Sequence, residues 1–115
     1  MKNILITGCA GFIGSSFLKS IIDKNYKIIG IDDLSTGNIK NLPKSKNFKF
    51  IKGNCSEASV LNRIKGKVDI IYHLAGQSSG EKSFYDPIND IDRNLFSTIK
   101  LLNFYLKKKS RHFIY

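Results

Sequence analysis

Three glycines spaced G-x-x-G-x-x-G carry the clearest chemical signal in the sequence: Gly8, Gly11 and Gly14, within "TGCAGFIG", Thr7 to Gly14. The first lets the chain turn sharply out of a strand. The second removes a side chain where a pyrophosphate must approach the backbone. The third lets the following helix pack closely against the sheet. A helix opening near Phe12 then aims unpaired N–H groups and a partial positive charge at the phosphates. A glycine triplet alone is weak evidence. This one lies between an apolar strand pattern and a helical one, which is the context the chemistry requires. Eighteen residues after Gly14, Asp32 ends the next apolar run. A carboxylate there accepts hydrogen bonds from ribose hydroxyls and repels a 2′-phosphate, which favours NAD over NADP. Asp33, its neighbour, is a second candidate for the same role.

These residues need elements that hold them together. "KNILIT", residues 2–7, is a short β-branched run ending at Gly8 and predicts a buried strand. Residues 12–24 place Ile13, Phe17 and Ile21 four apart, with Leu18 and Ile22 beside them, and predict a helix with one apolar face. Residues 26–32 predict a second strand, and 33–43 a polar loop with one helical turn. Residues 47–53 predict a third strand, and Ser56 caps a short helix running to Ile64. Residues 68–76 predict a fourth strand that ends on small residues. Between 86 and 109, Ile88, Ile91, Leu95, Ile99, Leu102 and Leu106 step by three or four, a long amphipathic helix with Pro87 in its first turn. "RHFIY", residues 111–115, predicts a buried fifth strand. Strand–helix alternation of this kind implies one α/β domain over 1–115, a doubly wound parallel sheet with right-handed crossovers.

Composition narrows the function classes. With 42% hydrophobic and 24% charged residues the chain reads as globular, not disordered. No apolar run approaches the ~20 residues of a membrane span, and the first strand is too short for a signal-peptide core. A cytoplasmic protein with no membrane partner is expected. Cys9 and Cys55 match no metal or redox spacing and read as small buried thiols. The net charge of +10 comes from sixteen Lys and three Arg against nine acids. The Lys are scattered except for Lys107–Lys109 at the end of the long helix, so a solvated basic surface is expected, with no nucleic-acid partner.

The segments "ITGCAGFIGSSFLKSII", "GIDDLSTGN", "VDIIYHLAGQSS" and "DP" followed by "NLFST" resemble the extended short-chain dehydrogenase/reductases. Within them, the chain is most similar to the NAD-dependent nucleotide-sugar epimerases and dehydratases of the UDP-glucose 4-epimerase kind. The resemblance implies a Rossmann-type sheet in the order 3-2-1-4-5, incomplete at its C-terminal edge, with NAD as cofactor. Gly8, Gly11, Phe12, Ile13 and Gly14 match the dinucleotide loop. Asp32 matches the ribose-binding acid, and Asn38 falls in the loop after it. Asn54 and Cys55 stand where the family has an acid and an aliphatic residue flanking adenine. Leu74, Ala75 and Gly76 match the cofactor-lining end of the fourth strand. Gln77 falls near a ribose or pyrophosphate contact, with Ser78 and Ser79 on the substrate side. Asn94 matches an Asn of the long helix, and Ser97-Thr98 replaces the usual Gly-Thr pair. His73 reads as a core histidine.

No catalytic residue is expected within residues 1–115. The family's Ser or Thr would lie just past Tyr115, its Tyr-x-x-x-Lys further on, and a substrate domain after that. The single Tyr-x-x-x-Lys spacing, Tyr105 to Lys109, reads as coincidence on a helix that points elsewhere. The chain therefore reads as the cofactor-binding portion of an enzyme that transiently oxidises a nucleotide sugar and is homodimeric when complete. The 115 residues alone are not expected to be catalytically competent. A second reading is a stand-alone NAD-binding sensor or regulatory module. A third, a basic nucleic-acid-associated protein on the same scaffold, predicts salt-dependent binding that the scattered Lys pattern does not favour.

Overall fold

The computed structural model describes all 115 residues. Five parallel strands form one sheet in the order β3-β2-β1-β4-β5. They are β1 (Lys2–Thr7), β2 (Tyr26–Asp32), β3 (Phe48–Lys52), β4 (Ile70–His73) and β5 (His112–Ile114). The helices are α1 (Phe12–Ile21), α2 (Ala58–Leu61), α3 (Gly80–Tyr85), α4 (Pro87–Ile91) and α5 (Ser97–Lys108).

Both faces of the sheet are covered, and β1 shows how. Successive side chains of a strand point to opposite faces. Ile4 and Ile6 join Leu18, Ile21, Ile22 and Ile28 in the layer under α1. Leu5, from the same strand, joins Ile31, Ile51, Ile71, Leu101 and Phe104 in the opposite layer, under α2 and α5. A strand apolar on both faces is the mark of a parallel sheet sandwiched by helices. The layout leaves the C-terminal ends of β1, β2 and β4 side by side, where the order reverses about β1. Ligands bind at such a switch point in open α/β sheets.

The fourth strand is shorter than expected, Ile70–His73 in place of residues 68–76, because Leu74–Gly76 leave the sheet as a loop, and four further expectations need correction. First, Ser56 does not cap α2. Its hydroxyl donates to Asn54 Oδ1 at 2.8 Å, and Glu57 occupies the cap position without a side-chain bond. The helix it heads is also shorter than expected, Ala58–Leu61. Second, residues 80–85, in no predicted element, form α3, whose cap is Ser79 accepting from Lys82 N.

Third, the long helix is not uniform. Asp86 caps α4 through Asn89 N–H, with Pro87 opening the helix as expected. Residues Asp92–Phe96 then form a π turn before α5 resumes. Such single-turn insertions cluster at functional sites. Fourth, β5 is not buried. Its residues alternate exposed, half-buried, exposed, and it pairs with β4 on one side only. An apolar strand with one open edge is a template for further pairing.

The basic cluster is partly structural. Lys108 Nζ donates to the carbonyls of Ile64 (2.8 Å) and Gly66 (2.9 Å), tying α5 to the turn after α2. Lys109 takes a left-handed conformation and ends α5. No helix is long and apolar enough to cross a membrane.

Candidate functional site

The turn from β1 into α1 is built by glycine. Gly8 has φ +71°, a left-handed conformation that strains other residues. Its Cα faces the chain leaving β4, so an added Cβ would lie 2.7 Å from Ala75 N. At Gly14 an added Cβ would lie 2.0 Å from the Gly8 carbonyl oxygen, so the helix is seated directly on the turn. Gly11 differs. An added Cβ would meet only Gly8 O, at 3.4 Å, and otherwise point into open space. Gly11 is also the N-cap of α1 and has no side chain to satisfy the first-turn N–H groups. The result is a donor-lined concavity at the positive end of a ten-residue helix.

The carboxylates after β2 close the other side. Asp32 is buried, with Oδ2 accepting from Ala10 N at 2.9 Å and Oδ1 from Leu34 N at 2.8 Å. It thereby fixes the glycine turn against the loop after β2. Asp33 is more open. Its Oδ1 accepts from Ser35 N and its Oδ2 from Arg93 Nη1, both at 2.9 Å. Burial alone would raise the Asp33 pKa, but the Ser35 bonds and the Arg93 guanidinium hold it below the usual carboxylate range.

Gly8, Gly11, Asp32, Asn54, Cys55, Leu74, Ala75 and Gly76 all line one cleft at the strand ends. Six of the sequence candidates stand elsewhere. Phe12 and Ile13 project outward at the start of α1, and Gly14 lies beneath the turn. Asn38 caps a one-turn 3₁₀ helix through Lys40 N and donates its own N–H to Ala10 O. Gln77 lies in an adjoining polar cavity with Ser78, Ser79 and Lys82. Asn94 reaches the Gln77 peptide from the π turn. Arg93 and Ser35 were not singled out in the sequence, yet both line the two cavities. The signal available for Arg93 was a lone Arg beside Asn94 in a chain with only three Arg.

Behind the cleft lies a chain of hydroxyls and one imidazole. Ala75 N–H donates to Thr7 Oγ1 at 3.2 Å, and Thr7 Oγ1 is 2.7 Å from His73 Nδ1. Thr98 Oγ1 donates its single proton to Asn94 O at 2.6 Å, so it accepts from His73 Nε2 at 3.0 Å. His73 Nδ1 is then the acceptor for the Thr7 hydroxyl. Burial pushes the His73 pKa down to about 4, so the ring is neutral and serves as a spacer between β1 and α5. Ser97, in the place of the expected Gly, is buried and donates to Arg93 O. Cys9 and Cys55 are buried thiols whose pKa values burial pushes up to about 12 and about 11, with nearby Asp32 and Asp33 adding to the rise.

The family model described as GDP-mannose 4,6 dehydratase matches residues 5–114. The chain belongs to this family. A dTDP-D-glucose 4,6-dehydratase of Dictyostelium discoideum is 41% identical, over all of this chain and 28% of that protein. Among solved structures, an epimerase from Methanothermobacter thermautotrophicus superposes with a TM-score of 0.93 at 29% identity, covering 97% of this chain and 34% of that one. A Thermus thermophilus UDP-glucose 4-epimerase in complex with NAD gives 0.82 at 27% identity, covering 93% and 34%. As a GDP-mannose 4,6 dehydratase family member, the chain spans about a third of the length of the curated relatives it matches.

Proposed function

We propose that residues 1–115 form the NAD-binding part of a nucleotide-sugar epimerase or dehydratase. One observation carries the reading: the uncapped N-terminus of α1 and the open face of Gly11 stand in the same cleft as Asp32 and Asp33. That pairs an anion cradle with two carboxylates, the complementary groups for a dinucleotide's pyrophosphate and ribose.

The roles follow from position. The first-turn N–H groups of α1 receive the pyrophosphate, with Gly11 giving it access. Asp32, already fixed by two backbone N–H groups, offers its remaining lone pairs to the adenosine ribose. Asn54, with Oδ1 occupied by Ser56 N–H and Oγ–H, keeps its amide donors for the adenine edge beside Cys55. Leu74, Ala75 and Gly76 wall the cleft at the end of β4. When bound, the dinucleotide supplies the hydride-accepting chemistry of a transient sugar oxidation. The proposed division of labour takes the proton-abstracting base from outside residues 1–115, as the resemblance to the epimerases and dehydratases implies.

The substrate class is a nucleotide sugar, supported by the relatives' names. The homodimer is supported by the exposed apolar row Ile88, Leu95, Ile99 and Leu106 along α4, the π turn and α5.

The deciding experiment is titration of the protein, as its gene encodes it, with NAD by calorimetry. Saturable one-to-one binding that is lost in Gly11→Val supports the reading. Absence of binding, or binding indifferent to Gly11→Val, overturns it. Reading the coding sequence beyond the Tyr115 codon tests the division of labour. A Ser/Thr and a Tyr-x-x-x-Lys in frame support the enzyme, and a stop codon there favours a non-catalytic NAD-binding module.

A further inference from the structure

We propose that the end of the sheet opposite the cleft is a docking surface for an anionic membrane, held by lysine contacts to lipid phosphates. This surface lies away from the NAD cleft and does not depend on how that cleft is read.

Topology creates the surface. In a parallel sheet every helix-to-strand connection returns to the end where the strands begin. Here those connections and strand starts are residues 1–3, 22–27, 42–48, 62–69 and 107–112. Hydrogen bonds join them side by side. Asp69 Oδ2 accepts from Asn3 N at 2.9 Å, Asp69 O from Arg111 N at 2.8 Å, and Asn47 O from Ile28 N at 2.8 Å. Together they hold twelve of the nineteen Lys and Arg but only two of the nine acids, Asp23 and Asp69. The segments leaving the strands on the cleft side, 7–12, 32–41, 52–58 and 73–96, reverse the balance, with seven acids to four cations. Lysines scattered along the sequence are thus gathered by the fold.

Most of this charge has no work inside the chain. Lys67 pairs with Asp69 at 2.9 Å, and Lys108 donates to the Ile64 and Gly66 carbonyls. The other ten cations are exposed and donate no side-chain hydrogen bond. The dipole of α5 favours cations at its C-terminus, but that does not reach Lys2, Lys27 or Lys46, at or just before strand starts. Charge kept for solubility alone has no reason to collect at one end, where like charges repel. An anionic surface turns that repulsion into attraction.

A sheet of lipid phosphates fits this end better than a nucleic-acid strand. Ten of the twelve cations are Lys, compact point charges suited to phosphates, and only Arg63 and Arg111 carry the planar fork. The two aromatics of these segments, Tyr26 and Phe48, pack into the layer under α1, so no stacking platform is offered to bases. Both cavities described above lie at the other end. Met1 is the one exposed large apolar side chain in these segments, so the contact is electrostatic and reversible, without insertion. The sequence expectation of no membrane partner concerns a span; a surface contact needs none. Docked by this end, the protein keeps its cleft open to solvent.

The test is co-sedimentation of the protein, as its gene encodes it, with vesicles of phosphatidylcholine alone and of equal parts phosphatidylcholine and phosphatidylglycerol. Binding is expected only to the anionic vesicles, and should weaken by about tenfold or more as salt is raised and the Debye length shortens. Lys27→Glu/Lys65→Glu/Lys107→Glu changes three exposed, unpartnered side chains of this end and should also weaken binding by about tenfold or more. Lys19→Glu/Lys49→Glu/Lys100→Glu makes the same change of net charge elsewhere and should retain most of the binding. Circular dichroism checks that both variants fold. Absence of binding to anionic vesicles, binding indifferent to salt, or equal loss in the two variants overturns the proposal. Tighter binding to DNA than to vesicles at equal phosphate concentration assigns this end to a nucleic acid and overturns it as well. The salt series and the DNA comparison use the wild type, so they decide the question even where a variant fails to fold.

Discussion

Asn94 grips the Gln77 peptide from both sides: Oδ1 accepts from Gln77 N–H at 2.8 Å, and Nδ2 donates to Gln77 O at 2.9 Å. The same Nδ2 donates to Asp90 Oδ1 at 3.0 Å. An added Cβ on Gly76 would lie 2.9 Å from Asn94 Oδ1, so the loop after β4 is pressed against this side chain. Asn94→Asp keeps the acceptor but replaces a donor with an oxygen facing Gln77 O and Asp90. It should cost roughly 1–3 kcal/mol in denaturant unfolding, the range for a polar group left unsatisfied. NAD affinity should fall with it, because Ala75 and Gly76 line the cleft. Unchanged unfolding and unchanged NAD binding would show that the loop does not depend on Asn94.

Gly11 and Gly14 make a paired prediction. Gly14→Ala puts a carbon 2.0 Å from a backbone oxygen, so the turn or the helix must move. It should destabilise the fold by about 1–3 kcal/mol or more, the scale of overpacking against groups that cannot yield. Gly11→Ala meets nothing closer than 3.4 Å. It should leave the melting temperature nearly unchanged while weakening NAD binding. Equal loss of stability in the two variants would contradict the assignment of different roles.

Much of this arrangement could be read from the sequence, because parallel strands and glycine turns leave local signatures. β1 and β2 were predicted residue for residue, since both are continuous β-branched runs with clear stops at Gly8 and Asp32–Asp33. The three-residue β5 was overestimated because its apolar composition does not reveal that it lies at an edge. The π turn escaped because Leu95, Ile99 and Leu102 fit a helical step with or without one inserted residue. The cleft followed from motif context, but the Asp33–Arg93 pair did not. Its members are sixty residues apart, and nothing local joins them. Ser56 looked like a cap by residue type, yet Asn54 takes its hydroxyl in a local turn, a competition that short polar side chains often win.

The apolar row on α4, the π turn and α5 predicts self-association. Leu95 is 55% and Leu106 67% exposed, and Ile88 and Ile99 are exposed too, four large apolar side chains left in water within one helical stretch of the chain. Sedimentation of the protein as its gene encodes it should give a dimer. Leu95→Glu/Leu106→Glu should give a monomer with a near-native circular dichroism spectrum. A wild type that stays monomeric at high concentration would remove the dimer from the proposal.

His73 sets an acid limit on stability. Its pKa is lowered to about 4 by burial in the folded chain, against an unfolded value of 6.5. Between those values the unfolded chain holds a proton that the folded chain does not. Stability is therefore full above about pH 6.5 and falls as the pH drops toward 4. The total loss over that window is roughly 3 kcal/mol at about 1.4 kcal/mol per pH unit. Asp33 adds its own loss only at still lower pH, because its folded pKa is already below the usual carboxylate value. Urea midpoints measured from pH 7 to pH 4.5 should decline steadily. His73→Gln should start lower at pH 7, since it breaks the Thr7–His73–Thr98 chain, but its midpoint should be much flatter over the same range. A parallel decline in both proteins would assign the acid sensitivity to other groups and leave His73 a spacer with no pH role.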